Sequence, residues 1–265
     1  MIKKLDKNAI SDYLLVVLLL VFSGNPIIRF TDKFVLMYLS VLILIVKRSQ
    51  FKVDFFVRCF VITSALLVLF ISQMITLNFV SWLGAFRYIA TFLFGGMIFY
   101  LVSDRLAFRF FVVLYYLSLI SIVFFVLINL LHVPIPSLEW GTYGEGGVHS
   151  GNKNSWIIYT YVKRVHAYRN CGMFWEPGAF AGILVLCLAL NARHWKKHKF
   201  KLSVIVIALL TTQSTAGYLV FFMIISYYFI FFVKIHIAKF ILIPTFLLAM
   251  AVTYQNVDFL KEKIN

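Results

Sequence analysis

FRFFVVLYYLSLISIVFFVLINLL, residues 108–131, carries one charged side chain, Arg109, at its second position and none after it. As an α-helix it is about 36 Å long at 1.5 Å per residue, enough to cross a hydrocarbon layer of about 30 Å. It has no polar face, so it is not the amphipathic helix of a soluble surface. Its solvent is lipid. Working outward, apolar runs of the same kind fall at about 12–25, 34–46, 57–78 and 84–102 before it. Those at 173–192, 202–214, 216–233 and 237–253 follow it. Several are shorter than the roughly 20 residues of a span, a mismatch that tilt or local bilayer thinning absorbs. The expected fold is therefore all-α: a polytopic transmembrane bundle of about nine spans forming one integral membrane domain over residues 1–265. The 202–233 region also reads as one span plus a re-entrant turn.

The bulk numbers agree. The chain is 62% hydrophobic and 13% charged. Soluble domains average about 45–50% apolar and about 25% charged. A net charge of +15 would point to nucleic acid in a soluble protein. Here no recognition motif accompanies it, and the cations cluster between apolar runs, so no nucleic-acid partner is expected. Membrane lipids with anionic headgroups are the expected partner of that charge. Cys59, Cys171 and Cys187 show no metal or redox spacing and read as small apolar filler. No metal or other cofactor is expected.

The start MIKKLDK before an apolar run has the form of a signal peptide, but Phe22-Ser23-Gly24-Asn25 is a poor cleavage site. An uncleaved first helix is expected. With the N-terminus inside, the inner segments hold Lys3, Lys4, Lys7, Lys47, Arg48, Lys52, Arg58, Arg105, Arg109, Arg193, Lys196, Lys197, Lys199, Lys201, Lys234 and Lys239. The outer segments hold Arg29, Lys33, Arg87, Lys153, Lys163, Arg164, Arg169, Lys261 and Lys263. The inner loops are short and dense in cations, as the positive-inside rule requires. Trp82, Trp175 and Trp195 fall at span ends as interface anchors.

One connection is long. Residues 132–172 contain Pro134, Pro136, Glu139, Gly141, Gly144, Glu145, Gly146 and Gly147, then turn basic at Lys163, Arg164, His166 and Arg169. This outer loop reads either as a lid over a site or as a spacer. After it comes RNCGMFWEPGAFAGILVLCLAL, residues 169–190. Glu176 stands at the threshold of an apolar span, followed at once by Pro177-Gly178. Proline suits the first helical turn, and a helix N-terminus favours an anion. Glu176 thus either caps the helix or serves a site there. In LLTTQSTAGYL, residues 209–219, the polar group Thr211 to Thr215 interrupts an apolar stretch. Hydroxyls in lipid need partners, and by this topology these lie near Glu176, as a polar turn or as part of a site. Arg87, at the outer end of its span, reads as a functional cation or as a snorkelling one. Arginine forks suit pyrophosphate, and a carboxylate or imidazole beside them suits a general base.

At these residues the sequence resembles the bacterial O-antigen polymerase family and, more distantly, the O-antigen ligases. The resemblance is carried by Arg169-x-x-Gly172-x-Phe174-x-Glu176-Pro177-Gly178-x-Phe180 and by Thr212-x-Ser214-Thr215-x-Gly217, with the polybasic loop between them. It covers roughly 160–235. It implies a metal-independent glycosyltransferase of the bacterial inner (plasma) membrane that polymerises undecaprenyl-pyrophosphate-linked repeat units at the periplasmic face. The resemblance implies the undecaprenyl-pyrophosphate-linked glycan as this chain's partner, with a chain-length regulator and a flippase as further ones. Arg169, Glu176 and His166 are then the catalytic candidates, and Arg87, Lys163, Arg164, Ser214 and Thr215 the substrate-binding ones. Family members continue into a second large outer region. Residues 254–265 resemble its opening, which implies a truncated chain with part of the site missing.

Three other readings compete. An O-antigen ligase shares the donor chemistry but uses another acceptor. A transporter or flippase for lipid-linked oligosaccharide calls for mid-membrane charges and inverted repeats, and neither is evident. A non-catalytic partner of a glycan-assembly complex follows if the chain is truncated. The topology makes the first testable prediction. Alkaline phosphatase fused within 132–172 is active, and the same enzyme fused after Lys197 is inactive, as read by reporter activity in whole cells.

Overall fold

The computed structural model describes residues 7–25, 33–47, 51–77, 82–135, 154–161, 168–232 and 244. Among them are eight helices: α1 (Lys7–Gly24), α2 (Lys33–Val46), α3 (Val53–Leu77), α4 (Trp82–Val102), α5 (Leu106–Phe125), α6 (Pro177–Asn191), α7 (Trp195–Thr211) and α8 (Thr215–Phe232). Each coincides with an apolar run read from the sequence, because a backbone in lipid must close its hydrogen bonds within its own segment. Thr212 to Ser214 separate α7 from α8 as a turn with Gln213 at φ 50°, so the 202–233 region is two helices. The run at 237–253 lies outside the described residues, Pro244 excepted.

Among the described residues, three apolar helical stretches are long enough to cross a membrane: Val53–Gln73, Ile89–Leu130 and Pro177–Thr211. The second has 42 residues, about 63 Å if straight, twice the hydrocarbon thickness. It folds back on itself. A 3₁₀ turn at Ser103–Arg105, with Ser103 at φ 46°, reverses the chain between α4 and α5. The contacts with α1 fix both directions. Phe94 meets Phe22 with ring centroids 5.4 Å apart, while Arg105 at the far end of α4 pairs with Asp12 at 2.9 Å. So α4 runs antiparallel to α1. Arg109, at the start of α5, donates to the Tyr13 hydroxyl at 2.9 Å, so α5 runs parallel to α1. A second 3₁₀ turn, Ala192–His194, makes α6 and α7 another antiparallel pair.

The main core joins α1, α5, α6 and α7 through Val16, Leu20, Phe111, Leu114, Phe180, Leu184, Leu202, Ile205 and Leu209. A second cluster packs Leu15 of α1 against Phe94, Ile98 and Val102 of α4. Helix α1 thus contributes to both cores and is a structural member of the bundle. Cys171 and Cys187 are buried and all three cysteines are free thiols. One correction to an all-α fold is needed. Within the long loop, β1 (Asn154–Trp156) and β2 (Tyr159–Tyr161) pair antiparallel, Trp156 opposite Tyr159. The stretch NSWIIYTY is rich in β-branched and aromatic residues, which favour a pleated pair over a helix.

The bundle has two chemically distinct ends. Arg105, Arg109, Arg193, Lys196, Lys197, Lys199 and Lys201 gather at the end where α1 begins. Lys52 joins them there through its backbone bond to the Tyr100 hydroxyl. The opposite end receives the last turn of α1, the hairpin, residues 168–176 and the Thr212–Ser214 turn. At the basic end Asp12 is buried between Arg105 and Arg109. Asp12→Ala leaves that charge pair without its anion, which costs about 3–5 kcal/mol. Loss of the exposed Asp54–Arg58 pair is silent. Thermal unfolding of both variants in detergent checks this.

Candidate functional site

Helix α6 starts where Pro177 occupies its first turn, and Glu176 holds the N-cap position with an extended backbone. The Glu176 side chain makes no capping hydrogen bond to the helix. Its carboxylate is therefore not consumed by the cap that its position offers. Glu176 Oε1 lies 3.7 Å, and Ser214 Oγ 3.9 Å, from the point where a Cβ on Gly178 would stand. The absent side chain of Gly178 lets the two oxygens share one small patch.

The segment before α6 is irregular and tightly held. Tyr168 and Gly172 both take positive φ, 62° and 54°. A Cβ on Gly172 would stand 2.8–2.9 Å from ring carbons of Phe180, so both backbone and space require glycine. Phe174 stacks on Phe180 with centroids 5.7 Å apart. Gly24 closes on Phe174 so tightly that a Cβ there would lie 2.5 Å from its ring.

Asn170 knots this segment to the bundle. It is fully buried. Its Nδ2 donates to Thr211 Oγ1 at 2.9 Å and to Ser121 Oγ at 3.2 Å. Its Oδ1 accepts from the Gly172 N–H at 2.9 Å, and its own N–H donates to Thr211 O at 2.9 Å. Next to it, Arg169 donates from Nε to Thr212 O at 3.2 Å and from Nη2 to Gln213 O at 3.0 Å. The guanidinium is thereby held flat against the turn between α7 and α8. From the other side Asn25 donates to Met173 O at 3.1 Å and to Ile157 O at 2.7 Å. The Trp175 N–H reaches Gly24 O at 2.9 Å, and the Thr160 N–H reaches Gly172 O at 2.6 Å.

The hydroxyls of the turn bond to nearby backbone. Thr211 and Thr212 hydroxyls donate back to Ala208 O and Leu209 O, both at 2.7 Å. Ser214 Oγ accepts the Gly217 N–H at 3.3 Å, the bond of an N-cap on α8. Thr215 is the first residue of α8. The N-termini of α6 and α8 thus converge, and the dipoles of the two helices make a patch favourable to negative charge. Nearby, burial pushes the Tyr159 hydroxyl far above its ordinary pKa. Burial first, and then Tyr168, raise that of Tyr161.

The structure brings Arg169, Glu176, Ser214 and Thr215 to one end of the bundle. Arg87 sits on α4 two turns before Phe94, which puts its backbone toward the same end; its side chain lies outside the described part. Lys163, Arg164 and His166 lie outside the described residues. The sequence reading missed Asn170, Asn25, Gly24 and Ser121. A signal was present for Asn170, an amide directly beside Arg169 at the edge of lipid. Asn25 had drawn notice only as part of a poor cleavage site. Compared with known proteins, the chain matches no family model, no curated protein and no solved structure.

Two glycines separate structural from functional roles here. Gly172→Ala forces a left-handed alanine into the Phe180 ring and destabilises by about 2–4 kcal/mol. Gly178→Ala meets only ordinary contacts and leaves stability within about 0.5 kcal/mol, while filling the patch between Glu176 and Ser214. Denaturation midpoints of the purified variants test the contrast.

Proposed function

We propose that this chain is a bacterial plasma-membrane glycosyltransferase that polymerises undecaprenyl-pyrophosphate-linked oligosaccharide repeat units at the outer, periplasmic face. The observation that carries the reading is the meeting of its two sequence motifs. Arg169 bonds the carbonyls of Thr212 and Gln213, 43 and 44 residues away, and Glu176 shares the Gly178 patch with Ser214. The segregation of lysines and arginines to the other end supports the orientation, since cytoplasmic loops keep cations. The bundle is then multi-pass, with α1 entering from the cytoplasm.

In this reading the anomeric carbon of the growing chain is held near the N-termini of α6 and α8. A hydroxyl of the incoming unit attacks that carbon, its C–O bond to the lipid pyrophosphate breaks, and the pyrophosphate leaves with the electron pair. Arg169, fixed in plane by its two carbonyl partners, faces the departing charge without reorganisation. Arg87, Lys163 and Arg164 are the further cations this reading assigns to the substrate. Glu176 accepts the hydroxyl proton or orients the acceptor, with His166 as the alternative base.

The test is the surface-polysaccharide ladder of the host on a gel. Deleting the gene collapses the ladder to a single repeat on its lipid core. Arg169→Ala and Glu176→Gln reproduce the collapse although the proteins insert normally, and Gly178→Ala shortens the ladder. An unchanged ladder on deletion ends the polymerase reading. Loss of all attached polymer, with lipid-linked polymer accumulating, makes the chain a ligase.

A further inference from the structure

The hairpin in the long loop ends in two residues that do not suit a turn in water. Ile157 and Ile158 connect β1 and β2 across the Trp156–Tyr159 pair. Two-residue hairpin loops favour Asn-Gly or Asp-Gly with positive φ. Neither isoleucine has positive φ, and both are exposed, Ile157 at 60% and Ile158 at 43%. The next residues, Tyr159 and Thr160, are buried, so the hairpin directs its polar pairing inward and its apolar tip outward.

The height of that tip is set by a hydrogen bond. Ile157 O accepts from Asn25, the residue immediately after α1. Helix α1 is apolar from Tyr13 to Phe22 and ends at Gly24. Ile157 therefore lies level with the end of an apolar helix. The helix also exposes Ile10, Leu14 and Val17 at helical spacing, so α1 is on the perimeter of the described bundle. At the same end Leu130 and Leu131, at the close of the π-helical turn Val126–Leu130 that follows α5, are exposed too.

From this we infer that the Ile157–Ile158 tip is a membrane anchor, inserted among the acyl chains of the leaflet at the Glu176 end. Its insertion holds the β1–β2 hairpin against the membrane surface. The inference rests only on the membrane reading of the bundle and not on the glycosyltransferase chemistry.

The full chain, reconstituted in phosphatidylethanolamine–phosphatidylglycerol vesicles with Cys59→Ala as background, tests it. An environment-sensitive fluorophore is placed at Ile157→Cys and, separately, at Leu14→Cys. The anchor predicts that the label at 157 emits to the blue, loses most of its emission to a shallow acyl-chain nitroxide and is shielded from aqueous iodide. If the label at 14 is quenched by lipid nitroxide while the label at 157 responds only to iodide, the anchor is wrong and the membrane reading stands. If the label at 14 also escapes lipid quenching, the membrane reading fails and the anchor with it.

Discussion

In lipid, a polar group without a partner inside the protein has none at all, and the end of the bundle carrying Glu176 is organised around meeting that requirement. Asn170 is its centre. One buried amide joins α5 through Ser121, α7 through Thr211 and its own loop through Gly172. An amide suits this place because it donates and accepts at once. With Asn170 held, Arg169 beside it has little choice of direction. It meets the carbonyls that the α7–α8 turn leaves unpaired, and those carbonyls need a donor. The positive φ of Gln213 and the left-handed Gly172 are accommodated because neighbours on every side over-determine them.

The opposite end solves a different problem. Cations collect there, and the buried Asp12 offsets two of them while it staples α1 to the α4–α5 turn. The same helix then delivers Gly24 and Asn25 to the far end, where they receive Trp175 and hold Met173 and the hairpin. One helix thus links the ion pair at one end to the candidate site at the other. Glu176, by contrast, occupies a capping position without capping. Its carboxylate shares the patch beside Gly178 with Ser214, the N-cap of α8.

The sequence reading and the structure agree most closely where the physics is local. Each described helix follows an apolar run, and the Pro177 start of α6 was visible as Glu-Pro-Gly at the head of such a run. The two motifs were visible as polar interruptions of apolar sequence. Their exact bonding was not. Nothing in the order of residues says that Arg169 spends two donors on carbonyls, or that Ser214 is a cap. The hairpin was hidden because a short strand pair inside a long polar loop leaves a weak periodic signal.

The amino-acid sequence by itself determined the apolar character of this protein, the position of its described helices and the clustering of cations between them. These follow from hydropathy and charge summed over short windows, which neighbours in space do not alter. Tertiary structure alone decided that the 42-residue apolar stretch folds back, that Asn170 and Asn25 are the polar knots, and that Glu176 and Ser214 share a patch beside Gly178. Each of these is a meeting of residues far apart in the chain. It exists only once the helices have chosen their neighbours, and that choice is made by packing and by the pairing of buried polar groups such as Asn170 and Asn25.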